Sequence, residues 1–143
     1  MSEFTECETE LKDQAALVDA LVEAGIAREH VEVHEAPQHL YGYHGDKRAQ
    51  TANIIIRRNH VGSSSNDIGF LKKADGTYEA IVSEFDRRSG GNHAQKTGGY
   101  NERWLKTLKQ PYATRMLERE QAKKGRKVLK TKKGNKVILS VYY

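Results

Sequence analysis

The stretch that decides the fold is ANIIIRR, Ala52 to Arg58. Neighbouring side chains on an extended chain point to opposite faces, so three consecutive isoleucines make both faces apolar. β-branched residues also favour a pleated, packed backbone. The run predicts a central strand covered on both sides, and the rest of the chain must supply the covers.

Upstream, Val31 and Val33 alternate with His30, Glu32 and His34 in a shorter strand. Ala36-Pro37 interrupts it, and Leu40 to Tyr43 resumes extended structure. Further back, Leu17, Val18, Leu21 and Val22 recur at helical spacing, with Asp13 placed to cap that helix and Gly25 to end it. Phe4 to Leu11 alternates as a first strand. A β-α-β opening predicts a crossover helix lying on one face of the sheet.

Downstream, Asn59 to Asp67 has the composition of a loop. Asp67–Lys73 and Thr77–Phe85 read as two strands joined at Ala74-Asp75-Gly76. Residues 86–100, DRRSGGNHAQKTGGY, hold four glycines and little to bury, which predicts a flexible loop or lid. Trp104, Leu105, Leu108, Tyr112, Met116 and Leu117 form a helical stripe that Pro111 must break or kink. Lys127–Lys132 and Lys136–Tyr143 flank Lys133-Gly134-Asn135 as a closing hairpin, with Val137, Leu139, Val141 and Tyr143 on one face. The order β-α-β-meander-α-β-β predicts an α+β fold, with one mixed, mostly antiparallel sheet and two helices packed on it. Residues 1–143 read as a single domain.

Leu, Ile, Val and Phe number 29 of 143 residues, enough for a small core between polar loops. No apolar run reaches the ~18 residues of a membrane-spanning helix. MSEFTECETE lacks the basic and then apolar regions of a secretory signal. A lone Cys7 excludes an internal disulfide and a multi-cysteine zinc site. These features predict a cytoplasmic protein with no contact to a membrane.

Charge is distributed unevenly. Residues 1–40 carry a net −8, residues 41–100 a net +3 and residues 101–143 a net +10. One strongly positive end attracts phosphate-bearing partners. The plainer alternative is a solvated basic helix and hairpin that balance the acidic N-terminal third.

Several runs have a familiar form: LYGYHGDKR (40–48), IIIRR (54–58), HVG (60–62), SNDIGF (65–70) and YEAIVSEFD (78–86). Together they resemble a domain-of-unknown-function family. It is typified by a hypothetical reading frame of cyanobacteria and algal plastids, with bacterial and large-phage relatives. The N-terminal strand and helix, KQPYA (109–113) and VILSV (137–141) resemble it too, so the likeness covers nearly the whole chain. The blocks G-Y-x-G-D-x-R and S-N-D-I-G-F are its most specific parts. The Gly90–Gly99 insert is longer than the family's usual loop, and Pro111 sits where members keep the helix intact. The resemblance implies an intracellular α+β fold and assigns no catalytic residue.

Candidate sites follow from chemistry. His30, Glu32, His34 and His39 have the right donors for zinc. Strand alternation puts the first three on a polar face, however, and no metal or other cofactor is expected. Gly62 and three serines, with Arg57, Arg58 and His60 at the entrance, suit phosphate oxygens but lack the P-loop spacing; the alternative is a flexible connection. Tyr41 and Tyr43, sharing a strand face next to His44, Lys47 and Arg48, suit stacking of unpaired bases, unless they are core or edge residues. Lys123, Lys124, Arg126 and Lys127, continuing to Lys130, Lys132 and Lys133, form the densest basic tract. The helix C-terminal dipole accounts for part of it. His44 and His60 are candidates for a general base and acid on a phosphodiester, with Arg57 or Lys47 steadying the charge. Ser63–Ser65 with His60 and Asp67 offers a serine nucleophile but lacks the G-x-S-x-G elbow.

The reading is a small nucleic-acid-binding protein that prefers RNA to duplex DNA and grips the backbone through its basic C-terminal region. The alternatives are a docking protein of a larger assembly and a metal-independent phosphodiesterase.

Overall fold

The computed structural model describes residues 2–134 and 136–142. Asn135 of the expected hairpin turn and Tyr143 of its expected apolar face lie outside them. Five strands form one sheet in the order β1-β5-β4-β3-β2. They are β1 (Phe4–Glu8), β2 (Val31–Tyr41), β3 (Lys47–Ile56), β4 (Ile68–Lys72) and β5 (Tyr78–Ser83).

Every pair in this sheet is antiparallel, so the expected mixed sheet is corrected to an antiparallel one. The reason is the destination of β1. It pairs with β5 at one edge, while β2 forms the other edge, so the strands joined by the crossover never touch. The crossover helix α1 (Gln14–Glu23) does lie on one face, as expected, with Ala16, Leu17, Val18, Ala20 and Leu21 buried. Asp13 caps it by accepting from the Ala16 N–H at 2.8 Å.

On the helical face, Ile54, Ile56, Ile68, Phe70, Ala80 and Val82 meet Leu17, Leu21, Trp104, Leu105 and Leu108 in the main core. The last three come from α4 (Glu102–Thr107) and from the junction with α5 (Lys109–Lys123). That junction breaks at Leu108, three residues before Pro111. Pro111 itself sits in the first turn of α5, where a missing N–H leaves no helical bond unmade. The Tyr112 hydroxyl then accepts from the N–H groups of Lys12 and Asp13, tying α5 to the start of α1. Leu21 is fully buried here, so Leu21→Ala is expected to cost about 2–4 kcal/mol. Urea denaturation checks this, and a loss within ~0.5 kcal/mol would contradict the packing described.

The other face is covered by the sheet's own hairpin. Val33 pairs with Ile54 but Gln38 with Ala52, so β2 carries extra residues around Ala36-Pro37. Pro37 therefore bulges an edge strand instead of ending it, a place where its missing N–H is tolerated. Asn53 fastens the bulge. Its amide donates to the His34 and Glu35 carbonyls, and its oxygen accepts from the Lys72 N–H. Beyond the bulge the hairpin curls over the second face, where Leu40 and Ala52 pack with Ile55 and Ile81. Gly69 allows this, because a β-carbon there would stand 2.5 Å from the Ala52 β-carbon. Arg48, near the hairpin tip, reaches the ring of Phe4 on the far edge strand.

The segment 86–100 buries more than its composition suggests. Ala94 and Tyr100 belong to the core, and Tyr100 meets Trp104 edge to face. Burial pushes the Tyr100 phenol up to about 12, and its hydroxyl donates to the Val61 carbonyl at 2.8 Å. Gly91 has φ +47° and packs so closely on the Val61 carbonyl that a β-carbon would lie 2.3 Å from its oxygen. The short helix α3 (Glu84–Arg88) opens this segment.

The last two strands, β6 (Lys127–Lys133) and β7 (Lys136–Tyr142), form a separate two-stranded sheet beside α5. Among the described residues, no helix is long and apolar enough to cross a membrane.

Candidate functional site

The loop read as Asn59–Asp67 begins with one helical turn, α2 (Arg58–Val61), and ends in buried polar residues. Asp67, 1% exposed, is the first anchor. Its carboxylate accepts from the Tyr41 N–H at 2.7 Å, the Arg58 N–H at 2.8 Å and Arg57 Nη1 at 2.8 Å. The Asp67 N–H in turn donates to the Tyr41 carbonyl. Arg57 also grips Glu32 with two nitrogens and donates to the His39 carbonyl. Burial works against the Arg57 charge, but Glu32 and Asp67 outweigh it and raise the guanidinium above its ordinary value.

Asn66 is the second anchor. Its oxygen accepts from the Tyr43 N–H at 2.8 Å, and its amide donates to Ser83 Oγ at 2.9 Å. Its own N–H donates to Asp86 Oδ2 at 2.9 Å. Ser83 and Asp86 are fully buried. Ser83 caps α3, which carries Phe85, by accepting from the Asp86 N–H, and donates its hydroxyl to the Asp86 carboxylate. Asn66 and Asp67 thus hold the chain on either side of Gly42, at the start of the G-Y-x-G-D-x-R turn. The two most specific sequence blocks are one constellation.

Beside these anchors, Tyr43, His44, Arg48, Ser64, Asn66 and Phe85 line a cleft of about 240 Å³. Tyr43 and Phe85 expose 45% and 43% of their surface. Arg48 is already engaged, donating to Asp46 at 2.6 Å and to the Ser2 carbonyl at 2.7 Å. Arg48 also holds the Asp46 carboxyl below its ordinary range. Tyr41 closes β2 and lies 5.8 Å from the Arg57 guanidinium. Tyr43 follows in the turn, so the two tyrosines do not share a strand face. Lys47 is exposed at the start of β3, and Arg58 is half-buried in α2.

His60 stacks on His30 with ring centroids 3.6 Å apart, while His44 tilts against Tyr43. Among the described residues, no hydrogen bond or ring contact joins His44 to His60. Nor does any cluster of His, Cys, Asp and Glu there have the form of a metal site.

At the other basic region, acidic α1 takes up part of the charge. Arg115 and Arg28 both reach Asp19, Arg119 reaches Asp13, and Lys130 approaches Glu23 at 3.6 Å. The Arg28 guanidinium leads in holding the Asp19 carboxyl below its usual range; burial opposes it and Arg115 adds to it. Lys124 lies 3.8 Å from Glu120, and Arg126 reaches Gln121. Lys123, Lys127, Lys132 and Lys136 are exposed and have no acidic partner among the described residues. Leu129, Ile138 and Tyr142 are exposed on the hairpin face that carries Lys127 and Lys136, while Lys132 pairs with Val137 on the opposite face.

Sequence reasoning found Tyr43, His44 and Arg48 but missed Phe85, which reads as the last apolar residue of a strand. It also missed Asn66 and Ser83, whose polar side chains give no sign that they are buried.

Fold and site define an α+β protein in which a curled hairpin builds a cleft at one end of an antiparallel sheet, with a lysine-bearing ribbon attached to its last helix. A family model described as "Protein of unknown function (DUF1257)" matches residues 27–140, and the chain belongs to that family. The match starts after α1, so it covers less than the nearly complete span expected from the sequence. No curated protein and no solved structure matches the chain.

Proposed function

We propose that this is a small cytoplasmic protein that binds RNA without a cofactor, gripping the phosphate backbone through the end of α5 and the β6–β7 ribbon. The observation that carries the reading is the set of exposed lysines without acidic partners, Lys123, Lys127, Lys132 and Lys136. The helix dipole favours Lys123 in the last turn of α5 and α1 answers other charges of this region, but neither accounts for Lys127, Lys132 and Lys136. Lys124 and Arg126 lie beside them and add to the same field. Single-stranded RNA fits better than duplex DNA because exposed rings accompany the cations, and rings serve unstacked bases. Tyr41 and Tyr43 provide such rings at the sheet, with Lys47 paired to Tyr41, while Arg58 and His60 add to the basic lining from α2, where His60 stacks on His30. Arg48 and Arg57 act in this reading as supports for the tyrosines, since carboxylates already occupy them.

A second reading, docking on a larger assembly, is favoured by one observation. Leu129, Ile138 and Tyr142 leave an apolar strip on a two-stranded sheet, an arrangement of marginal stability alone.

The test is to purify the protein from its own cells and identify what accompanies it before and after nuclease treatment. Co-purifying RNA that ribonuclease removes and deoxyribonuclease leaves is the expected result. Partner proteins that survive both nucleases, with no RNA, would overturn the RNA reading in favour of docking.

A further inference from the structure

The cleft under the hairpin tip has features that backbone binding does not use. Two aromatic side chains, Tyr43 and Phe85, stay exposed at its lip, yet their backbones are held fast. Tyr43 donates its N–H to Asn66, and Phe85 donates its own to Ser2 Oγ at 2.8 Å. Both residues rest on the same buried group, in which Asn66, Ser83 and Asp86 bond to one another. Rings presented to solvent on a fixed frame lose little freedom when a flat ligand stacks on them.

The polar lining narrows the ligand. Arg48, the cleft's guanidinium, is held by Asp46 and the Ser2 carbonyl, with its flat face 5.2 Å from the Phe4 ring. An anion would have to break those contacts. Asn66 is equally occupied. Ser2 accepts from the Phe85 N–H, and the Asp46 carboxylate adds a negative charge to the lining that further disfavours an anion. Exposed Ser64 and His44 offer one hydroxyl and one imidazole, suited to the edge of an uncharged heterocycle. The cleft, about 240 Å³, has the size for a single ring system and not for a helix or a folded chain.

We infer that this cleft is a base-binding site, receiving one unpaired nucleobase of the bound RNA on the rings of Tyr43 and Phe85, with Ser64 and His44 at its edge. The inference rests on the RNA reading for the source of the base, and it adds a site separate from the ribbon.

Two measurements test it. In the first, amide shifts of the labelled protein are followed during titration with the four ribonucleoside monophosphates, with ribose 5-phosphate as the control lacking a base. Shifts at Tyr43, His44, Ser64 and Phe85 with nucleotides, and none with the sugar phosphate, are expected. In the second, Tyr43→Ala and Phe85→Ala are each expected to weaken binding of a short single-stranded RNA about tenfold without changing its salt dependence, because stacking releases no ions. Both side chains are exposed, so neither variant removes core packing. Equal shifts with ribose 5-phosphate, shifts confined to the ribbon, or variants that bind RNA as the wild type does would each overturn the inference. A protein whose cleft amides respond to nucleotides but which binds no RNA strand would support the base site and overturn the RNA reading. The two failures are therefore distinct.

Discussion

Replacing Asp67 with alanine is expected to lower folding stability by about 3–5 kcal/mol, the range for removing one partner of a buried ion pair. Three donors converge on this carboxylate, from Arg57, Tyr41 and Arg58. Truncation leaves the two backbone N–H groups without acceptors, at about 1–3 kcal/mol for each that stays buried. Glu32 still holds two Arg57 nitrogens, so the two orphaned N–H groups carry most of the loss. Asp67→Asn retains the shape and one acceptor oxygen, so it should fall between wild type and alanine. Urea denaturation measures both variants. A loss below about 1 kcal/mol for alanine would mean that the hairpin tip is held by its apolar contacts alone.

Reversing Lys123, Lys127, Lys132 and Lys136 to glutamate is expected to weaken RNA binding by at least about a hundredfold at low salt. These four side chains have no acidic partner among the described residues, so the fold has no ion pair to lose at them. Only Lys123, in the last turn of α5, has a helix dipole to oppose the new carboxylate, at about 0.3–1 kcal/mol. Thermal unfolding should therefore drop only slightly while binding falls for all sequences alike. The same exchange at Arg115 and Arg119 would behave differently, since those residues meet Asp19 and Asp13 on α1. Their loss should act on stability first. Fluorescence anisotropy with a labelled single strand separates the two sets. Unchanged binding by the fourfold variant would remove the ribbon as the RNA contact.

Sequence patterns revealed the elements whose logic is local. The Asp13 cap, the Leu17–Leu21 stripe and the double-sided isoleucine run each follow from a few neighbouring residues, and each is found where expected. What stayed hidden depends on partners far along the chain. β1 pairs with β5 across more than seventy residues, and nothing in FTECE shows that it avoids its sequence neighbour β2. Pro37 looked like an interruption because Asn53, which closes the bulge it creates, lies on the facing strand.

The candidate site shows the same division. Tyr41 and Tyr43 were visible as rings beside cations, but the strand ends between them. Asn66 and Asp67 looked like loop composition, although they are buried anchors that fix the turn. The basic tract was plain in the sequence. The division of this basic region into Arg115, Arg119 and Lys130, answered by α1 and its cap, and lysines left unanswered required the packing of α5 and the hairpin against that helix.

The most direct measurement of the central claim is a salt titration of the wild-type protein on a labelled single-stranded RNA, with a duplex DNA of equal length beside it. Each phosphate contact to a single strand contributes about −0.7 to the slope of log K against log salt. Four lysine contacts therefore predict a slope of about −3, with the RNA strand bound more tightly than the duplex. No binding at low salt, or a slope near zero, would contradict the account.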